Sequence, residues 1–311
     1  MSLLRSALLK GAENQWLAST LPRLAFARRA VRRFMPGEQL EDALAECASL
    51  ARTGVGTVIT RLGENITTLP EAEQVCAHYQ DSIADIARGA LPTHLSVKLT
   101  QLGLDLSSDH ATACLQRIAR ASSEINAPVW IDMESSRYTD GTIDVFRRTR
   151  QQCENVGICV QAYLKRTERD LRDLLTQTTA VRLVKGAYRE PAGIAIQSKR
   201  AVDENYLACA TRLLEAVKQR TVTYVPAFAT HDVVLIRRII NRATQLGVAR
   251  DSYEFQMLYG IRVAEQQKLA AEGFRLRVLI SYGSAWFAWY MRRLAERPAN
   301  VWFVVKSVTT A

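Results

Sequence analysis

Histidine is scarce in this 311-residue chain, at four residues, and none of its six cysteines forms a CxxC pair. Cys47, Cys76, Cys114, Cys153, Cys159 and Cys209 are dispersed, which argues against structural zinc. They read as reduced packing residues of a cytoplasmic protein, and no metal is expected. Glycine (15) and proline (8) are few against 48% hydrophobic residues, a balance that argues against disorder. No apolar stretch approaches the roughly 18 residues a membrane-spanning helix needs. The sequence has no GxxxxGK[ST], HExxH or GxSxG, so P-loop transfer, zincin chemistry and the hydrolase elbow lack support.

Charge is not scarce. Forty-one basic residues stand against 31 acidic ones, a formal net charge of +10. Residues 1–33 carry Arg5, Lys10, Arg23, Arg28, Arg29, Arg32 and Arg33 against Glu13 alone, and so supply +6 of it. Such a segment is a transit peptide, a nucleic-acid arm, an anchor for an anionic membrane surface, or simply a basic solvated helix face. The apolar pieces between its basic residues are too short for a secretory signal.

Beyond residue 50 a short apolar run, rich in β-branched residues, is followed repeatedly by an amphipathic stretch. The runs cover 55–64, 94–102, 128–135, 157–164, 181–188, 224–232, 253–260 and 276–283. Helical patterns such as 115–125 and 205–217 lie between them. Near-continuous apolar strands alternating with helices predict parallel βαβ units. Eight units in about 250 residues is the size of a (β/α)8 barrel of the TIM type. An open doubly wound sheet would normally show a Gly-rich phosphate turn after its first strand, and Gly54-Val55-Gly56 lacks the third glycine.

Polar side chains end every run: Glu64, Lys98, Asp132 with Glu134, Gln161 with Tyr163, Lys185 with Tyr188, Thr230-His231-Asp232, Gln256 and Tyr282. In this fold they predict one polar mouth at the strand carboxyl ends. Lys98 and Lys185 read equally as Schiff-base nucleophiles, anion ligands or outward-pointing lysines. His231 reads as a ligand contact or a hydrogen-bonded structural residue, and His78, His94 and His110 carry no assignment. A last helix near 284–297 brings Arg292 and Arg293 beside Trp286, Trp289, Tyr290 and Glu296. Two guanidinium forks beside aromatic rings suit a small apolar molecule bearing a carboxylate, or else form a solvated basic face.

Longer motifs carry a resemblance. Val181-Arg182-Leu183-Val184-Lys185-Gly186-Ala187-Tyr188 with Glu190-Pro191, Ala229-Thr230-His231-Asp232, Phe255-Gln256-Met257-Leu258-Tyr259-Gly260 and Arg292-Arg293-Leu294-Ala295-Glu296-Arg297-Pro298-Ala299-Asn300 together resemble the proline dehydrogenase family, in its short, monofunctional bacterial form. Met35-Pro36-Gly37-Glu38 and Leu62-Gly63-Glu64 extend the likeness, which runs from about residue 30 to residue 306.

The resemblance implies a distorted (β/α)8 barrel over residues 51–311, binding FAD non-covalently, with residues 1–50 as an N-terminal helical segment packed on it. It implies oxidation of L-proline to Δ1-pyrroline-5-carboxylate, with electrons passed to a membrane quinone. By motif, Lys98, Arg292 and Arg293 would hold the substrate carboxylate, ordered by Asp132, and Leu258 would pack on the ring. Gln161 and Arg182 would contact the isoalloxazine. Lys185, Gly186, Ala187, Tyr188, Thr230 and His231 would line the rest of the FAD site, with Glu296 near the cofactor.

One departure falls in the substrate pocket. The family's RVY-x-P-YG pattern reads Arg277-Val278-Leu279-Ile280-Ser281-Tyr282-Gly283 here, so Leu279 replaces a tyrosine and Ser281 a proline. A larger, drier pocket is implied, open to a substituted cyclic imino acid such as hydroxyproline. Two other readings stand beside this one: a Schiff-base aldolase using Lys98 or Lys185, and a basic binding module without redox activity. No base-specific or aromatic-interleaved basic pattern supports nucleic-acid binding. Residues 1–33 suit peripheral contact with the inner face of the membrane, where a quinone would be met.

Overall fold

The structure, a computed structural model, describes residue 20 and residues 31–63, 66–176, 180–220, 222, 224–287 and 289–291. Among the described residues, the first complete helix is α1 (Leu40–Ala51). Then follow β1 (Gly56–Arg61), α2 (Leu69–Arg88), β2 (Thr93–Val97), α3 (Ser108–Ser123), β3 (Val129–Ile131), α4 (Thr139–Arg150), β4 (Val156–Gln161) and α5 (Thr167–Leu175). The chain continues with β5 (Ala180–Val184), α6 (Lys199–Lys218), β6 (Ala227–Ala229), α7 (Val233–Leu246), β7 (Glu254–Leu258), α8 (Val263–Ala271) and β8 (Arg275–Tyr282). Every strand is parallel to its neighbours, and β8 pairs with β1 from Gly56 opposite Arg277 to Arg61 opposite Tyr282, which closes the barrel.

Each of the eight apolar runs overlaps a strand, and each strand ends before its run does. The second falls furthest short: Lys98 terminates β2, and Leu99–Leu102 is a 3-10 turn closed by Gly103 at φ +88°. Local chemistry sets the helix starts. Thr68 caps α2 by accepting from the Glu71 amide, with Pro70 in the first turn, where its missing N–H costs nothing. Ser107 and Asp232 cap α3 and α7 in the same way.

Strand alternation divides the barrel. Ile59, Leu95, Val97, Ile131, Val160, Leu183, Phe255, Met257, Val278 and Ile280 face the helices in one continuous core. Inside the barrel the fill is mixed: Val58, Trp130, Ala180 and Ala227 form a small apolar cluster, with Tyr224 and Leu279 packed on it. Tyr282 falls on the outward parity; its hydroxyl meets His78 Nε2 at 2.8 Å, so it stands outside the mouth where the run-end pattern had put it.

Two features distort the regular barrel. Helix α1 buries Leu40, Ala43 and Cys47 in the outer core and packs on β1 and β8, the slot that a helix following β8 would otherwise fill. The segment after β8 goes elsewhere: Trp286, Phe287, Trp289 and Tyr290 cluster with Val31, Phe34, Met35 and Leu62, beyond the carboxyl end of β1. Gly260, at φ +70° in the loop after β7, completes this arrangement. A Cβ there would lie 1.7 Å from the Arg33 carbonyl oxygen, so only glycine lets the residue 31–35 segment lie across the loop. The chain leading to Arg292 therefore borders the mouth; Arg292, Arg293 and Glu296 themselves lie outside the described residues.

Candidate active site

A charged network occupies the barrel interior. Arg182 on β5 is 2% exposed, and its guanidinium pairs with Asp132, which follows β3. The same guanidinium donates to Ser96 Oγ at 2.7 Å, and Ser96 donates to Asp132 Oδ1 at 2.9 Å. Lys98, also buried, places Nζ 3.6 Å from Asp132 Oδ2. Two buried cations thus share one carboxylate, and this triad is left with a net positive charge. Isolated charges of this kind cost several kcal/mol each to desolvate, so they belong where pairing or a ligand compensates them.

The network continues away from the mouth. Arg182 reaches Gln256 Oε1 at 3.4 Å, Gln256 donates to Glu254 Oε1 at 2.7 Å, and Glu254 Oε2 accepts from Arg277 Nε at 2.9 Å. Arg277 ends on the Pro92 carbonyl, before β2, at 2.7 Å. Burial pushes the Arg277 pKa down, against the pull of Glu254. Trp130 lies under the Arg182 guanidinium, 5.4 Å from ring centroid to Cζ, and fixes its plane. Ser96, Trp130, Glu254 and Arg277 were not singled out from the sequence as site residues. Their signal is inward strand parity, readable only once each strand's facing is known.

Gln161, at the end of β4, spends both amide hydrogens on the Met133 and Glu134 carbonyls, at 2.8 and 3.0 Å. Its Oε1 is buried and has no partner among the described residues, an acceptor left for a ligand N–H. Lys185, Gly186, Ala187 and Tyr188 run on from β5 as a half-buried wall. Gly186 sits at φ +114°, and a Cβ there would fall 2.1 Å from the Tyr163 ring. Lys185 is clamped by Asp203 at 2.5 Å and Asp232 at 2.9 Å. Burial alone would raise the Asp232 carboxyl, but hydrogen bonding and charge from Lys185, with a contribution from Lys199, hold it at about 2.

Thr230 is buried, and its hydroxyl oxygen accepts from the Asp232 amide at 3.2 Å. His231 Nε2 accepts from the Leu258 amide at 2.8 Å, so that nitrogen carries no proton and ties the end of β6 to the end of β7. Leu258 stands opposite Leu279 in the β7–β8 register, and both are half-buried. Gathered in and around the mouth are therefore Lys98, Asp132, Gln161, Arg182, Lys185, Gly186, Ala187, Tyr188, Thr230, His231, Leu258 and Leu279.

The dispersed thiols mostly behave as packing: burial pushes up the pKa of Cys47, Cys159 and Cys209, the last to about 11. Among the described residues, no helix is long and apolar enough to cross a membrane.

Fold and site define a (β/α)8-barrel enzyme with a cationic, partly apolar mouth suited to a small carboxylate-bearing molecule. Comparison with known proteins narrows the class. The family model for proline dehydrogenase matches residues 43–306. The chain is 37% identical over 309 residues to proline dehydrogenase 1 of Bacillus subtilis, covering 98% of this chain and 99% of that protein. It is 34% identical to the proline dehydrogenase of Deinococcus radiodurans, over 89% of each chain. Among solved structures, proline utilization A (PutA) from Bdellovibrio bacteriovorus, inactivated by N-propargylglycine, superposes with a TM-score of 0.78 at 26% identity. That match covers 86% of this chain but 32% of the longer one. The chain belongs to the proline dehydrogenase family, whose members are flavin-dependent oxidoreductases of proline catabolism.

Proposed function

We propose that this chain oxidises L-proline to Δ1-pyrroline-5-carboxylate with FAD held non-covalently at the barrel mouth, and delivers the electrons to a quinone. The observation that carries the reading is the Lys98–Asp132–Arg182 cluster, in which one carboxylate serves two buried cations. Apolar residues would fill the same volume at equal or better stability, so the charges point to a ligand.

The donor set fits the cofactor: the unpartnered Gln161 Oε1, Arg182, the Lys185–Tyr188 wall, Thr230 and His231 would hold FAD, with Glu296 near it. When bound, FAD would supply the hydride acceptor, flavin N5, for oxidation at ring C5. The chain's own residues orient the reactants. Lys98, joined by Arg292 and Arg293, binds the substrate carboxylate, and Asp132 keeps Lys98 aimed. Leu258 and Leu279 pack on the ring and exclude water. Arg182, fixed by Asp132, Ser96 and Trp130, offers positive charge where the reduced cofactor becomes negative. His231 Nε2 is committed to the Leu258 amide, so that nitrogen takes no proton from the amine.

One observation favours a second substrate, a ring-hydroxylated imino acid. Ser281 Oγ on β8, the register partner of Thr60 on β1, is buried without a hydrogen-bond partner among the described residues. It lies two residues further along its strand than Leu279, so a ring hydroxyl beyond Leu279 would satisfy it. The aldolase reading gains no support. Lys98 and Lys185 are both engaged by carboxylates, Asp132 for the first and Asp203 with Asp232 for the second.

Anaerobic titration of the purified protein with L-proline, beside trans-4-hydroxy-L-proline, tests both substrates. Bleaching of a flavin spectrum by proline is expected. A yellow protein reduced only by hydroxyproline moves the assignment to the second substrate, and a colourless protein that takes up no FAD refutes the reading. Leu279→Tyr is expected to narrow the preference towards proline, and an unchanged ratio of kcat/KM values removes Leu279 from the specificity argument. The basic segment 1–33 would dock on an anionic leaflet; equal liposome flotation with and without it would exclude that role.

We further propose residues 1–50 as one N-terminal unit packed on the barrel, extending what α1 does at β1 and β8.

A further inference from the structure

On the outer wall of the barrel, α2 and α3 face each other with an unusual set of side chains. His110 and Cys114 stand one turn apart on α3, at i and i+4, and therefore on one face. Glu73 comes from the first turns of α2, with Cys76 one turn along from it. Cys114 Sγ lies 3.3 Å from His110 Nε2 and 3.9 Å from Glu73 Oε1, and those two atoms are 3.5 Å apart.

These lengths can be compared with a coordination polyhedron. Zinc bonds of about 2.3 Å to sulfur and about 2.0–2.2 Å to nitrogen and oxygen give tetrahedral edges of roughly 3.3–3.6 Å. The triangle of ligand atoms is therefore close to one face of such a tetrahedron before any ion is placed in it. We propose that Glu73 Oε1, His110 Nε2 and Cys114 Sγ form a binding site for one zinc-type divalent cation, with water in the fourth position, that clamps α2 to α3.

The chemistry of the set agrees with the geometry. Thiolate, imidazole and carboxylate together suit a borderline-soft tetrahedral ion better than magnesium or calcium, which take oxygen ligands. Cys76 has other engagements, with its Sγ 3.6 Å from the Cys114 carbonyl and 3.8 Å from Gln80 Oε1.

Arg117 is the rival occupant. Its Nη2 is 2.6 Å from Glu73 Oε2 and 3.3 Å from Cys114 Sγ, so it neutralises the same groups. Its seat is imperfect, because Nε is buried without a partner while the side chain is 41% exposed. Swinging outward would let that Nε meet water and open the face to an ion. Glu73 is exposed and His110 half-exposed, which gives the ion its route in. The site also adjoins the substrate side of the barrel. Gly103, which closes the turn after Lys98, packs so near His110 that a Cβ there would touch Cδ2 at 3.4 Å. An ion at this site would stiffen the loop that carries Lys98.

The test is a titration of the chelator-treated, full-length protein with Co²⁺ under reducing conditions. A thiolate-to-cobalt charge-transfer band with intense tetrahedral d–d bands, saturating at one equivalent and displaced by Zn²⁺, is expected. Cys114→Ser should abolish the charge-transfer band. Glu73→Gln, an exposed substitution that leaves packing intact, should weaken binding on the order of tenfold or more, since even outer partners of metal ligands act on that scale. No charge-transfer band in the wild type, or a band indifferent to both substitutions, overturns the assignment and leaves Arg117 as the permanent counter-ion.

Discussion

Replacing Asp132 by asparagine keeps the shape of the side chain and removes the charge that Lys98 and Arg182 share. The Lys98 contact, at 3.6 Å, corresponds to a Coulombic attraction of about 4.6 kcal/mol at an effective dielectric of about 20. Desolvation offsets part of this, and breaking a buried pair costs about 3–5 kcal/mol in practice. Asp132 is 23% exposed, so water relieves some of the strain on the orphaned cations, which favours a loss of about 3 kcal/mol. Urea unfolding should show the loss as a lower midpoint at unchanged m. The KM for proline should rise in parallel, because Lys98 is no longer aimed. Adding Arg182→Met should recover part of the stability, since one unpaired charge is then gone, but none of the activity. A loss below about 0.5 kcal/mol with an unaltered KM would refute the view that Asp132 organises these cations.

Two further outcomes are expected. Asp232, held at about 2 against an ordinary 3.8, contributes stability that is full above pH 3.8 and lost as pH falls towards 2. Asp232→Asn should therefore be less stable than wild type at neutral pH and converge with it in that acid window; a difference independent of pH would contradict the Lys185 clamp. Gly186→Ala forces a side chain into a φ of +114° and onto the Tyr163 ring, a backbone cost alone of about 1–3 kcal/mol. Flavin absorbance per chain in the purified protein should drop, and an unchanged flavin content would show that the Lys185–Tyr188 wall does not hold the cofactor.

The closed barrel was legible in the sequence because strands buried on both faces must be nearly continuous apolar runs, and eight such runs are visible without any long-range information. The run-end polar residues marked most of the mouth for the same local reason. Leu99–Leu102 misled, since a 3-10 turn packed in the core carries the same apolar pattern as a strand. Tyr282 misled because run-end position says nothing about which face a side chain takes.

The sequence by itself determined the number and order of the strands, the caps that start the helices, and the motifs that mark the family. Each of these depends on residues within a few positions of one another. Only the tertiary structure decided which groups share a charge. Lys98, Asp132 and Arg182 come from three strands, and their pairing follows from strand parity around a closed ring. It likewise decided that α1 fills the wall beside β8 while the segment after β8 turns to the mouth. The meeting of Glu73, His110 and Cys114 has the same origin: helical spacing places two of them on one face, but only the packing of α2 on α3 brings the third within reach of both.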